Sequence, residues 1–285
     1  MLTKTDAIVL KSMKFRDTSK IVTFYTRRYG KLKGIAKGAR QVKSKFGAAL
    51  EPITNVSLVL YKKEHRDLQL ISQCDTIKAY KKIHSEFDRM TVGLSILELI
   101  HQLAHDEEEN LALYSLLVET LDELESASKN ILNLFYAFEL RLAGLFGFAP
   151  TFGACNHCGR KVDEFAIEES AIFQLSKGGI LCAHCGRLTR VQTGEKVFLN
   201  PRRLHEAQMP NRGEANVRIS VTALKLMQRL FTARLDSVPF LEYTKATGNE
   251  IDATLRLYLR QHFEDLKPLK SLEIFKNAAN LGSTQ

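Results

Sequence analysis

Residues 21–40 read IVTFYTRRYGKLKGIAKGAR. Two runs in this stretch, Ile21–Thr26 and Leu32–Lys37, are rich in β-branched and aromatic residues, and Tyr29-Gly30-Lys31 between them is typical of a turn. The stretch therefore predicts two strands joined by a glycine turn. It carries six Lys and Arg residues and no Asp or Glu, so the predicted strands have a basic surface.

Strand-like runs of the same kind lie on both sides, at Ala7–Leu10, Val56–Lys62 and Leu68–Cys74. About five strands within residues 1–80 suit a small closed barrel of the oligonucleotide-binding (OB) type, because closure removes exposed strand edges. An SH3-like barrel would leave a similar pattern. We predict an OB-fold barrel over residues 1–80.

The hydrophobic period changes to three and four residues after Lys82, which predicts helices. Three precede residue 150 and two follow residue 220, with Asn110, Ser128, Ser220 and Asn249 as candidate N-caps. The simplest architecture is an α+β multidomain chain, in which an all-α helical domain, pictured as one bundle, is interrupted by a cysteine module. The predicted domains are the barrel at 1–80 and the first helical part at 81–150. The cysteine module follows at 151–195, and the second helical part with the C-terminal tail at 196–285.

The net charge of +9 is unevenly distributed along the chain. Residues 1–80 contain 17 Lys and Arg against 6 Asp and Glu, a net charge of +11. Residues 81–150 have a net charge of −7, and residues 151–285 have +5. Charges that only solvate a small domain normally mix both signs, so the first segment is predicted to bind a polyanion.

Eleven basic residues of the predicted barrel are candidates for phosphate contact with little base specificity. They are Lys11, Lys14, Arg16, Arg27, Arg28, Lys31, Lys33, Lys37, Arg40, Lys43 and Lys45. Four aromatic residues lie among them and either stack on unpaired bases or belong to the barrel core. These are Phe15, Tyr25, Tyr29 and Phe46.

Two Cys-x-x-Cys pairs, Cys155/Cys158 and Cys182/Cys185, form the strongest chemical motif. This spacing is typical of a tetrahedral zinc site, and four thiolates leave no open position, so one structural Zn²⁺ is predicted. Disulfides, free thiols, an iron–sulfur cluster, or His157 or His184 as a substitute ligand are the alternatives. Glycine follows each pair, which suits a tight turn.

Motifs of common enzyme classes are missing: there is no phosphate loop, dinucleotide fingerprint or His-Glu-x-x-His. We therefore expect no catalytic activity. The first residues lack a signal-peptide core and no later apolar run reaches about 18 residues, so a soluble cytoplasmic protein is expected.

Four segments together resemble the RecO family of bacterial recombinational repair proteins, in the same order along the chain. They are Gly34–Arg40 with Gly47–Pro52, Phe138–Phe148, the two cysteine pairs, and Lys267–Ser271. Lys37 and Arg40 match the basic motif of the family's barrel.

This resemblance implies a non-enzymatic recombination mediator of the RecF pathway, associated with the bacterial nucleoid. Such a protein binds single- and double-stranded DNA, anneals complementary strands and helps load recombinase onto DNA coated by single-strand-binding protein. The implied partners are RecR and the acidic C-terminal tail of single-strand-binding protein, with Arg141 in the helix suggested for the tail. The residues alone also allow a zinc-ribbon, OB-fold adaptor that binds RNA or a transcription complex.

Overall fold

The computed structural model describes residues 1–64, 66–193, 198–199 and 216–274, with only the backbone described at 189–193 and 198–199. The chain forms two compact units, one of Met1–Ala127 with the segment from Lys267 onward, and one of Ser128–Leu266. These units divide the chain at other positions than the predicted domains, because helices 81–127 group with the barrel.

The first unit begins with a closed five-stranded barrel in the order β1-β2-β3-β5-β4, with β4 pairing back to β1. Its strands are β1 Leu2–Phe15, β2 Ser19–Thr26, β3 Gly30–Ala36, β4 Asn55–Tyr61 and β5 Gln69–Lys78. All neighbours are antiparallel except β3 and β5, which run parallel where Gly34 faces Gln69 and Ile35 faces Leu70. The predicted OB fold is confirmed.

Alternation along β3 separates the barrel core from its outer face, as the period of a strand requires. Leu32 and Ala36 are buried in the core, whereas Lys33 is exposed and Lys31 and Ile35 are partly exposed. Strand β1 is longer than predicted and has an irregularity between Val9 and Lys11. This length allows it to pair with both β2 and β4.

Three helices complete the described first unit together with the segment from Lys267. They are α1 Lys81–Ser85, α2 Phe87–Leu103 and α3 Leu111–Ser126. The Asn110 side chain accepts a hydrogen bond from the Leu113 amide, so the predicted N-cap of α3 is confirmed. Backbone N–H of Lys267 donates to Gln102 Oε1 at 2.7 Å and Ser271 Oγ donates to Glu98 Oε1 at 2.8 Å, which fastens the distant segment to α2.

The second unit contains helices and a four-stranded sheet in the order β7-β6-β9-β8. Its helices are α4 Leu132–Leu145, α5 Ala183–Thr193, α6 Val221–Thr232 and α7 Lys245–His262. Its strands are β6 Ser170–Gln174, β7 Gly179–Leu181, β8 Phe198–Leu199 and β9 Asn216–Ser220. Because α2 and α3 belong to the first unit, the five predicted helices do not form one bundle.

Of the predicted N-caps in this unit, Ser220 is confirmed, since its side chain accepts from the Ala223 amide. Ser128 and Asn249 are wrong, because α4 follows Ile131 and α7 begins after Thr244. Within the predicted range 196–285, residues 196–197, 200–215 and 275–285, which include the predicted C-terminal tail, lie outside the described residues.

Candidate nucleic-acid interface and metal centre

Nine of the eleven candidate cations are exposed on the barrel and form no ion pair within the part of the chain that the structure describes. The nine are Lys11, Lys14, Arg16, Arg27, Arg28, Lys37, Arg40, Lys43 and Lys45. The other two, Lys31 and Lys33, both pair with the one carboxylate of Asp106, whose oxygens lie 3.2 and 3.9 Å from their Nζ atoms.

Five of the nine lie between β3 and β4 or at the β1–β2 turn beside it. We call residues 37–45 the basic loop. The Arg40 guanidinium donates to the carbonyls of Arg16 and Asp17 at 3.2 and 3.1 Å, and the Arg40 amide donates to Thr18 O at 2.9 Å. These bonds hold the basic loop against the β1–β2 turn and so bring the cations of the two segments together.

The four aromatic residues differ in burial. Phe46 is 3% exposed and belongs to the barrel core cluster, whereas Tyr25 is 1% exposed but buried outside that cluster, since its strand neighbour Phe24 points into the core. Burial, helped by the negative charge of Glu108, raises the pKa of Tyr25 to about 12. Phe15 and Tyr29 are partly exposed and each lies under an arginine, Arg16 at 5.2 Å and Arg28 at 5.5 Å from the ring centre.

An acidic segment between α2 and α3, Asp106–Glu109, contacts the barrel; we call it the acidic connection. Besides the two pairs of Asp106, Glu107 Oε2 lies 2.8 Å from Lys62 Nζ, and the Glu107 amide donates to Lys31 O at 2.9 Å. From the sequence alone, an acidic run at a helix boundary predicts a solvated loop and helix start, with magnesium binding as the alternative. The contact could have been predicted from charge, since these four negatively charged residues follow a segment, 1–80, with a net charge of +11.

The four predicted metal ligands converge in the second unit. The sulfur atoms of Cys155, Cys158, Cys182 and Cys185 all lie within 4.8 Å of one another. The Cys158 and Cys182 sulfurs are 3.8 Å apart, the separation of about 3.8 Å that a tetrahedral ion with Zn–S bonds of about 2.3 Å imposes. The four residues form no disulfide. The cluster can therefore hold a metal ion that prefers thiolate ligands.

The two Cys-x-x-Cys pairs lie in different local structures. Gly159 has φ +74° with free space around its Cα, so the first glycine supports a turn as predicted. Gly186 lies inside α5, where a Cβ would come within 2.7 Å of Ile172 Cγ1. The turn predicted there is wrong, because the second pair enters a helix and its glycine provides close packing.

Backbone amides around the cluster favour thiolate. The Cys182 amide donates to Cys155 Sγ at 3.3 Å. Burial alone would raise the pKa of Cys155, but hydrogen bonds from the Cys158, Cys182 and His157 backbone bring it down to about 7. For Cys185, burial and the neighbouring thiols raise the pKa. A cation at the centre would stabilise thiolates at all four positions.

Arg141, suggested by the resemblance for the partner tail, is partly exposed on α4. Its guanidinium donates to the Ala233 carbonyl just after α6. This bond fixes the direction of the side chain within the second unit.

No helix in the described ranges combines the length and apolar character that a membrane crossing requires.

Comparisons with known proteins give a consistent result. Residues 1–80 match the family described as "Recombination protein O N terminal", and residues 84–191 match "Recombination protein O C terminal". A DNA repair protein RecO from Chloroherpeton thalassium is 34% identical over 96% of this chain and 98% of its own length. The protein of that name from Salinibacter ruber is 30% identical over 96% of this chain and 93% of its own length.

Proposed function

Because the chain belongs to the RecO family of DNA repair proteins, we propose that it is a non-enzymatic recombination mediator that binds single- and double-stranded DNA. On this proposal it anneals complementary strands and helps load recombinase onto DNA coated by single-strand-binding protein. It does so in the bacterial cytoplasm, at the nucleoid.

The observation that supports DNA binding most directly is the set of nine exposed barrel cations without ion-pair partners in the described chain. Lysine and arginine bind phosphates and displace condensed counterions, so such binding is strong at low salt and indifferent to sequence. The same contacts lower the repulsion between two phosphate backbones. Since they leave the pairing edges of the bases free, they favour annealing.

The proposed metal is one zinc ion held by Cys155, Cys158, Cys182 and Cys185, whose sulfur spacing fits it. Zinc supplies four metal–sulfur bonds that tie together the chain segments carrying the two pairs. Four thiolates complete the shell, so the proposed role is structural.

RecR and the acidic tail of single-strand-binding protein are the proposed partners. Arg141 is the residue proposed for the tail, because its bond to Ala233 O holds a guanidinium in a defined orientation. Arg141→Ala is expected to reduce annealing of coated strands and leave annealing of bare strands unchanged.

Reversal of two charges in the basic loop tests DNA binding. The double variant is Lys37→Glu with Lys43→Glu. Arg40 is left unchanged because its guanidinium also bonds to the β1–β2 turn and holds the basic loop in place. We expect weaker single-strand binding, with the slope of log affinity against log salt reduced by about 1.4, about 0.7 for each lost phosphate contact. Fluorescence anisotropy of a labelled oligonucleotide at several salt concentrations measures both quantities.

The matched control is Lys177→Glu with Lys245→Glu, which makes the same change in charge at exposed positions of the second unit. Equal losses in the two double variants would show only a general charge effect and would refute binding at the basic loop.

A further inference from the structure

The basic loop is ordered at both ends by contacts within the barrel unit. On one side Arg40 is bonded to the β1–β2 turn. On the other, Lys45 Nζ donates to Ser72 O at 2.5 Å, and Phe46 is 3% exposed in the core. The residues between these anchors are therefore presented in a defined place.

Between the anchors the chain makes a tight turn. The Ser44 amide donates to Gln41 O at 3.0 Å, which closes the four residues Gln41–Ser44. Val42 occupies the second position of this turn and is 105% exposed, the largest exposed fraction among the exposed large hydrophobic residues of the described chain.

The surroundings of Val42 are cationic. Arg40, Lys43 and Lys45 lie within three residues along the loop and are exposed. An apolar group held among cations matches a ligand that offers phosphates and flat apolar faces together, and unpaired nucleotides are such a ligand.

We propose that Val42 is a base-contacting residue, which packs against the faces of unpaired bases while the neighbouring cations bind their phosphates. This inference rests on the proposed DNA binding and extends it from the backbone to the bases. A valine side chain has no hydrogen-bonding group, so the contact does not read sequence. Because it uses the faces of the bases, their pairing edges remain available to a complementary strand.

The chain contains no tryptophan, so Val42→Trp introduces a single fluorescent reporter. We expect its emission to be quenched by a single-stranded oligonucleotide and not by a base-free oligomer of the same length and charge. Ile167→Trp in the second unit, where Ile167 is 69% exposed, is the control and should respond to neither. An equal response of Val42→Trp to both oligomers, or none to either, would overturn the proposal.

Removing the apolar group gives an independent test. Val42→Ser is expected to weaken single-strand binding about fivefold with an unchanged salt slope, since buried apolar area is lost and no charge is changed. The base-free oligomer should bind both proteins equally. Equal weakening with both oligomers would contradict contact with the bases.

Two further outcomes are distinguishable. In the first, Lys37→Glu with Lys43→Glu lowers DNA affinity, but Val42→Ser binds DNA as tightly as the parent and the emission of Val42→Trp does not change with oligonucleotide. The proposed function then stands and the base contact is wrong. If Val42→Trp responds to vesicles of anionic phospholipid and not to oligonucleotide, the loop contacts lipid and the base contact is again wrong.

Discussion

Gly30, at the start of β3, has two independent reasons to be glycine. Its φ is +58°, and a Cβ there would lie 1.9 Å from the carbonyl oxygen of Glu108 in the acidic connection. Gly47 shares the left-handed backbone, with φ +49°, but a Cβ at this position would meet nothing within 4 Å. Comparing alanine substitutions at Gly30 and Gly47 therefore separates the cost of backbone strain from the cost of a steric clash.

We expect Gly47→Ala to cost about 1 kcal/mol of unfolding free energy, the strain of a left-handed L-residue. Gly30→Ala should cost about 3 kcal/mol, since overpacking adds to the same strain. Urea denaturation of the barrel unit measures both. Equal losses of unfolding free energy in the two variants would show that the Glu108 carbonyl does not restrict the side chain at position 30.

Residue-level prediction succeeded where the cause is local. The cap residues Asn110 and Ser220 bond within three residues, which sequence reveals. The start of α7 was missed because Asn249, a residue type favoured at N-caps, directly precedes the helical hydrophobic pattern, with Gly248 before it. In the fold this glycine lies inside the helix, where a Cβ would come within 2.5 Å of the Tyr243 ring, a contact that sequence does not show.

At the scale of elements, the acidic connection limits which lysines can reach DNA. It pairs with Lys31, Lys33 and Lys62, and its Asp106 and Glu107 side chains are 62% and 42% exposed. Lys33, at 45%, is about as exposed as these carboxylates, and an exposed pair contributes only about 0–1 kcal/mol, so a polyanion can replace the carboxylate there. Lys62 is partly exposed, at 19%, and Lys31 is 12% exposed.

Asp106→Asn with Glu107→Gln should therefore strengthen single-strand binding, because Lys33 and Lys62 lose their competing anions. The salt slope is expected to rise by about 0.7 for each lysine that gains a phosphate. The control, Asp88→Asn with Glu119→Gln, changes charge equally at exposed helix positions. If both double variants gain the same affinity, the acidic connection has no special effect.

The barrel could be predicted because its strands are consecutive and its turns contain glycine. The second sheet could not, since β7 and β8 have three and two residues and β6 pairs with the distant β9. The pairing of the acidic connection was missed for a similar reason, because it joins residues 31 and 106.

At the scale of the whole molecule, the proposed metal belongs to one unit and the proposed DNA surface to the other. Two compact units are expected to unfold in separate transitions. Structural zinc in small peptides contributes about 10–16 kcal/mol, and each kcal/mol shifts the melting midpoint of a unit this size by about 2–4 °C. Chelation should thus lower one midpoint by at least about 20 °C.

Calorimetry with metal analysis tests this. About one zinc per chain is expected, lost in Cys182→Ala, which should lower the same transition as the chelator. Cys74→Ala is the control: Cys74 is buried in the barrel, so its variant should keep the metal and lower the other transition. A protein purified without chelator that contains no zinc would refute the assignment.

The segment from Lys267 joins the first unit although 139 residues of the second, 128–266, precede it. At a synthesis rate of about 5–20 residues per second, the ribosome needs roughly 7–28 s to make that insert. Throughout this interval Gln102 and Glu98 of α2 lack the backbone amide of Lys267 and the hydroxyl of Ser271. The unit translated second is therefore the first to be complete, and the unit that carries the barrel receives its last contacts only when translation reaches the C-terminal segment.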